Sequence, residues 1–97
     1  MRIDGYVWDR INREKVELHG LEPDEVEDLF EDGSPYFIPN PPPENRHIAL
    51  GFLPDSRFAL VVFEYDASIR FVRVVTAYEP TSEKWWRTYA QEKGFTP

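Results

Sequence analysis

The spacing of apolar positions changes several times along the chain, and each change marks a different kind of element. Ile3 to Trp8 is apolar and aromatic in the β-favouring way, which predicts a short strand. From Asp9 to Leu18, Ile11, Lys15, Val16 and Leu18 recur at spacings of three and four and predict a helix ended by Gly20. A second helix is expected at once in LEPDEVEDLFEDG. Pro23 suits its first position, Asp24 and Glu25 complement the positive end of the helix dipole, and Val26, Leu29 and Phe30 make an apolar stripe closed by Gly33.

The stretch SPYFIPNPPPEN holds five of the nine prolines, so only Tyr36 to Ile38 can pair, as a short or edge strand, and the rest is expected to be a stiff extended connection. Beyond it the period drops to two. Arg46 to Leu53, Phe58 to Tyr65 and Ile69 to Tyr78 are β-type runs joined by the turn-forming PDSR and DAS, which predicts an antiparallel meander. Strict alternation in the last run puts Ile69, Phe71, Arg73, Val75 and Ala77 on one side and Arg70, Val72, Val74, Thr76 and Tyr78 on the other. After Pro80, Thr81 or Ser82 can cap a third helix, SEKWWRTYAQEK, with Trp85 and Tyr89 stacked one turn apart and Gly94 at its end. The order of elements is that of a single α+β domain, with two helices near the start, a sheet, and a C-terminal helix.

Composition narrows the classes of function. The chain has 97 residues and no cysteine, which excludes disulfides, thiolate chemistry and cysteine-ligated zinc. His19 and His47 alone cannot build a histidine-rich metal site, so neither metal nor cofactor is expected. The opening MRIDGYVWDR lacks the pattern of a signal peptide, and no run of apolar residues is long enough to span a membrane; a cytoplasmic location is expected. The formal charge of -7 is unevenly placed. Residues 1 to 45 carry four basic and twelve acidic side chains, residues 46 to 97 seven and six, and EPDEVEDLFED alone holds seven carboxylates. That acidic helix is either a solvated face or a docking surface for a basic partner, with Asp24, Glu25 and Asp28 its candidate contacts.

Arg73 is the anomaly in the pattern, standing among Val72, Val74 and Val75 in a run that reads as a buried central strand. A guanidinium inside a sheet is costly unless a carboxylate, a carbonyl or a bound anion satisfies its donors. Glu64 or Glu79 could neutralise it, or its fork could meet a phosphate at an open part of the sheet. Arg46 begins the first strand of the meander, and Arg57 and Arg70 lie at its turns, so basic groups recur across the same sheet. Lys84 and Arg87 on the last helix are either further phosphate contacts or solvated charges, and Trp85, Trp86 and Tyr89 either stack bases or fill the core. His47, with its side chain on the strand face opposite Arg46, is expected to be structural.

The stretches WDRINREKVELHGLEPDEVEDLFED, ENRHIALGF, RFALVVFEYD and RFVRVVTAY, in that order, resemble the BrnT family of small ribonuclease toxins from type II toxin–antitoxin systems. The resemblance spans about Val7 to Tyr89. It implies a RelE-like fold, an antiparallel sheet with helices packed near its start, and an endoribonuclease silenced by an antitoxin, generally a DNA-binding protein of ribbon-helix-helix type. By that resemblance Arg46 matches the arginine before the ALG strand, Arg73 the arginine opening RVVTA, and His19 the histidine of the HG turn. Thr76 and Ala77 match the family's Ser-Ala, while Tyr78 replaces the arginine usual at the next position.

Cleavage of RNA by its own 2'-hydroxyl needs a base, cationic donors for the charge gathering on phosphorus, and an acid for the leaving oxygen. Arg46 and Arg73 would clamp the phosphate, Tyr78 would orient substrate or donate a proton, and His19 belongs to the residue type best suited to acid–base work near neutral pH. The expected partners are RNA and an antitoxin, without a membrane, and a homo-oligomer is compatible with the sequence. A non-catalytic interaction module on the same fold is the rival reading, favoured by Tyr78 and by the acidic helix.

Overall fold

In the computed structural model, which describes residues 1–38 and 45–94, five strands form one mixed sheet flanked by three helices. Strand β1 (Gly5–Val7) leads into α1 (Arg10–Leu18) and α2 (Pro23–Asp32), followed by β2 (Tyr36–Ile38), β3 (His47–Phe52), β4 (Phe58–Asp66), β5 (Phe71–Tyr78) and α3 (Glu83–Lys93). The sheet order is β1-β5-β4-β3-β2; every pairing is antiparallel except that of β1, which runs parallel to β5. The expected α+β arrangement of two early helices and one late helix is present. Most of the proline-rich connection, residues 39–44, lies outside the described residues.

Helix boundaries follow from capping chemistry. Asp9 caps α1 by accepting from the Asn12 amide, and the Asp9 amide in turn donates to the side-chain oxygen of Asn12. Pro23 opens α2, whose Glu22 and Glu25 form a second capping box. Ser82 caps α3, and Gly94 ends it in the left-handed region at φ 80°.

Two apolar layers lie on opposite faces of the sheet. Val16 of α1, Leu21 of the connection, and Val26, Leu29 and Phe30 of α2 pack on Ala49, Val61, Phe63, Val72, Val74 and Ala77. The other face has a smaller cluster of Leu50, Leu60 and Tyr89, where α3 covers only the end of the sheet nearest Phe52 and Phe58. Its stacked pair is Trp86 with Tyr89, not Trp85 with Tyr89 as the one-turn spacing suggests. At the junction of α2 and β3, Gly33 is required by close approach: a Cβ there would stand 2.3 Å from the Phe52 carbonyl oxygen and 2.7 Å from that of Leu29.

Alternation misplaces two elements. In α1 the inward residues are Asn12 and Val16, while Ile11 and Leu18 are 66% and 84% exposed. The cause is Asn12, whose buried side chain donates to the carbonyls of Val7 and Val74 and so fixes which side of the helix meets the sheet. In β5 a bulge interrupts the pairing, because Val62 opposes Thr76 while its neighbour Phe63 opposes Val74. Val75 is the extra residue. Past it the faces exchange, so Ala77 joins Val72 and Val74 on the helix side, and Arg73, Thr76 and Tyr78 share the opposite side.

Candidate functional site

The register across three strands brings the two arginines singled out in the sequence to one row. Glu64 of β4 is paired with Arg73 of β5, and Arg46, one residue before β3, follows the pairing of His47 with Phe63. Arg46 and Arg73 therefore flank Glu64, with Cα atoms about 10 Å apart, two strand spacings. Arg46 Nε lies 3.8 Å from Glu64 Oε2, and Arg73 Nη2 lies 2.6 Å from Asp9 Oδ2. Across the sheet the order is Asp9, Arg73, Glu64, Arg46, four charges of alternating sign.

Arg73 is not the buried cation that its valine neighbours imply. Its side chain is 45% exposed, because α3 does not reach this part of the sheet, and its partner is Asp9 rather than Glu64 or Glu79. Arg46 is 54% exposed. Arg73 is hydrogen-bonded along one edge only, and Arg46 lies within ion-pair range of Glu64 without a hydrogen bond. Among the described residues, neither Nε nor Nη1 of Arg73, and no nitrogen of the Arg46 guanidinium, makes a hydrogen bond. Planar donors tethered on one side and open to solvent on the other are suited to a bidentate oxyanion such as a phosphate.

Asp9 carries two duties with one carboxyl group. Oδ1 takes the Asn12 amide, Oδ2 takes Arg73, and together these hold the carboxyl below its usual range, the backbone bond contributing most and Arg73 next. Through the cap, the first turn of α1 and the guanidinium of Arg73 are joined. Asn12 extends the same unit to the bulge, since its bond to the Val74 carbonyl lies one residue before the extra Val75.

His19 and Tyr78 do not join this row. They meet each other, with ring centroids 5.7 Å apart, at the far end of β5, roughly 15 Å along the strand from Arg73 at about 3.3 Å per residue. Thr76 lies between, on the Arg73 face, opposite Val62. Arg57 belongs to the His19 end, where it donates to Asp55, Glu25 and the Gly20 carbonyl and lies 3.5 Å from Glu79. That arginine pins the β3–β4 turn to the α1–α2 junction, with its donors committed to three carboxylates. Arg70 pairs with Asp4 beside β1. Lys84 lies over the Trp85 ring on α3, away from the row, and Arg87 is an exposed residue of the same helix. His47 packs its ring against Phe63 on the helix face.

The acidic helix divides by function within the fold. Glu25 takes Arg57, Glu27 takes the Trp8 indole, and Glu31 takes the Tyr6 hydroxyl, so these carboxylates tie α2 to its surroundings. Asp24 and Asp28, one turn apart, are exposed and have no ion-pair partner among the described residues. Reasoning from sequence missed Asp9 and weighed Glu64 only as a counter-ion. In the sequence Asp9 reads only as the first residue of a helix, which it caps instead.

No helix of the described residues is long and apolar enough to cross a membrane, and no group of three or more potential metal-binding side chains is found among them. Compared with known proteins, the chain matches no protein-family model and no curated protein sequence.

Proposed function

We propose that this protein is a toxin-like endoribonuclease that cleaves RNA in the cytoplasm without a metal and is held inactive by a cognate antitoxin. The observation that carries the reading is the row itself: two arginines, each with donors that make no hydrogen bond among the described residues, with a carboxylate between them. Arg46 and Arg73 would grip one phosphodiester and offset the charge that builds on it. Glu64, at their midpoint, would take the proton of the 2'-hydroxyl. The 2'-oxygen then bonds to phosphorus, the bond to the 5'-oxygen breaks, and solvent protonates the departing oxygen, leaving a cyclic phosphate and a 5'-hydroxyl. His19 and Tyr78 stand too far along β5 to act on the same phosphate, so the chemistry is assigned to the row. The antitoxin is proposed to be basic, with Asp24 and Asp28 of α2 as its contact.

A second reading, a non-catalytic interaction module, is favoured by a specific observation: each arginine already has a carboxylate at hand, and the expected histidine is elsewhere. The two are separated by incubating the purified protein with a labelled single-stranded RNA in the presence of a chelator, alongside induced expression in a bacterial host. The nuclease reading expects cyclic-phosphate ends and arrested growth, both lost in Arg46→Ala and Arg73→Ala variants that keep the wild-type circular dichroism. Folded wild-type protein that leaves RNA intact and growth unchanged would establish the module instead.

A further inference from the structure

Five phenylalanines of the described residues, Phe30, Phe37, Phe52, Phe58 and Phe63, pack ring against ring in the two cores. Phe71 does not. It belongs to neither apolar cluster and has no aromatic neighbour among the described residues. Its ring leans across β1 into the room left by Gly5, where a Cβ would come within 2.6 Å of Cζ and 2.9 Å of both Cε atoms. Only glycine at position 5 lets the ring lie there.

That ring lines a groove of about 400 Å³ on the face that α3 leaves uncovered. Val7 and Ile69 line it with Phe71, while Arg73, Glu64 and Asp66 add charged groups to the same groove. Ile69 is 52% exposed. Phe71 and Arg73 are two residues apart on β5, on one side of the strand and short of the bulge, so ring and guanidinium face the same space.

We propose that this groove is a nucleobase subsite, in which a base of single-stranded RNA stacks on Phe71 while its neighbouring phosphate meets the open edge of Arg73. The choice of RNA rests on the nuclease reading above; the stacking surface does not. An aromatic face without a ring partner beside a cation with unused donors is the pairing that single-strand recognition uses, since every base offers a π-face and every linkage a phosphate. The carboxylate of Asp66, paired with Phe71 across the strands, accepts hydrogen bonds and repels phosphate, which suits it to the N–H edge of a stacked base.

The test uses the full chain and a short 2'-O-methyl RNA oligonucleotide, which cannot be cleaved by its own 2'-oxygen, followed by amide NMR shifts and by affinity. Shifts are expected at Gly5 to Val7 and Ile69 to Arg73, with Phe71→Leu weakening binding about tenfold, Phe71→Trp preserving it and Gly5→Ala, which displaces the ring, weakening it. Absence of binding, shifts confined to α3, or a Phe71→Leu variant that binds like wild type would each overturn the subsite. Should the leucine variant fail to fold, the tryptophan and Gly5 variants decide the matter by the same measurement. An oligonucleotide bound in the groove by a protein that cleaves nothing removes the nuclease reading and keeps the subsite. Cleavage by Phe71→Leu at an unchanged KM does the reverse.

Discussion

Arg73 and Asp9 meet along a single edge, Nη2 to Oδ2 at 2.6 Å, although 64 residues separate them in the chain. Because Oδ1 of the same carboxylate caps α1, the orientation of the guanidinium depends on the start of that helix. The parallel pairing of β1 with β5 makes the contact possible by setting Val7 beside Arg73.

Asp9→Asn separates the two duties. Asparagine caps a helix as well as aspartate does, so the variant should keep its helical circular dichroism and most of its thermal stability, whereas Asp9→Ala should lose several degrees of Tm. The charge on Arg73 loses its tether in both. On the nuclease reading, kcat falls about tenfold in Asp9→Asn with little change in KM, because the cation remains but its direction does not. Equal activity of Asp9→Asn and wild type would reduce Asp9 to a helix cap.

Asn12 holds three elements with one amide group. Its nitrogen satisfies carbonyls of β1 and β5, its oxygen the amide of Asp9, and only 3% of it is exposed. Removing it leaves buried carbonyls without donors, so Asn12→Ala should lower unfolding free energy by about 2–4 kcal/mol in urea titrations. The bulge at Val75 should relax with it, visible as altered NMR shifts at Val74 to Thr76. A loss below about 0.5 kcal/mol would show that water replaces the amide.

How far the sequence reveals the fold follows from where each signal is stored. Helix ends are legible because Asp9, Pro23, Ser82 and Gly94 act locally, each within one turn of the boundary it sets. The bulge is not, because it falls between two valines with no glycine to mark it, and alternation carried through Val75 assigns every later residue to the wrong face. The inward side of α1 is hidden for a related reason: a polar residue, Asn12, occupies the position that apolar spacing assigns to Ile11. Arg46 and Arg73 were legible as a pair of candidates, and the register does place them together. Their carboxylates were not, since the Asp9 contact depends on a parallel strand pairing that leaves no local mark. Nor could spacing show that His19 and Tyr78 gather at the other end of β5.

Stability should fall at both extremes of pH, for opposite reasons. Asp4, Asp9, Asp55 and Asp66 titrate below the usual aspartate range: Asp4 chiefly through Arg70, Asp9 and Asp55 chiefly through backbone amides, and Asp66 chiefly through Ser68. A lowered folded pKa contributes stability that is present above the ordinary value near 4 and lost as pH falls through the folded one. Tyr6 is the reverse case. Burial, and then its bond to Glu31, raise its pKa far above the ordinary tyrosine value. Its contribution is complete below about pH 10 and declines as pH rises towards the folded pKa. Tm measured from pH 2 to 11 should therefore plateau between about pH 5 and 9 and drop on either side. In Tyr6→Phe the alkaline drop should shrink, and an unchanged drop would assign it to another group.

Glu64 stands between the two arginines, and its substitution tests the chemistry assigned to the row more sharply than loss of either cation. Glu64→Gln keeps the size of the side chain and a hydrogen-bond acceptor while removing both the base and the negative charge. Arg46 then loses its counter-ion and the row becomes more cationic, so the variant should bind an uncleavable oligonucleotide more tightly than wild type. Its kcat should nevertheless fall by about 10²–10⁴, the contribution of a positioned base. A purely structural Glu64 predicts that affinity and turnover decline together, since the arginines would lose their alignment. Opposite movement of the two quantities in one variant therefore distinguishes a base from a spacer, and parallel movement would transfer the proton abstraction to a group outside the row.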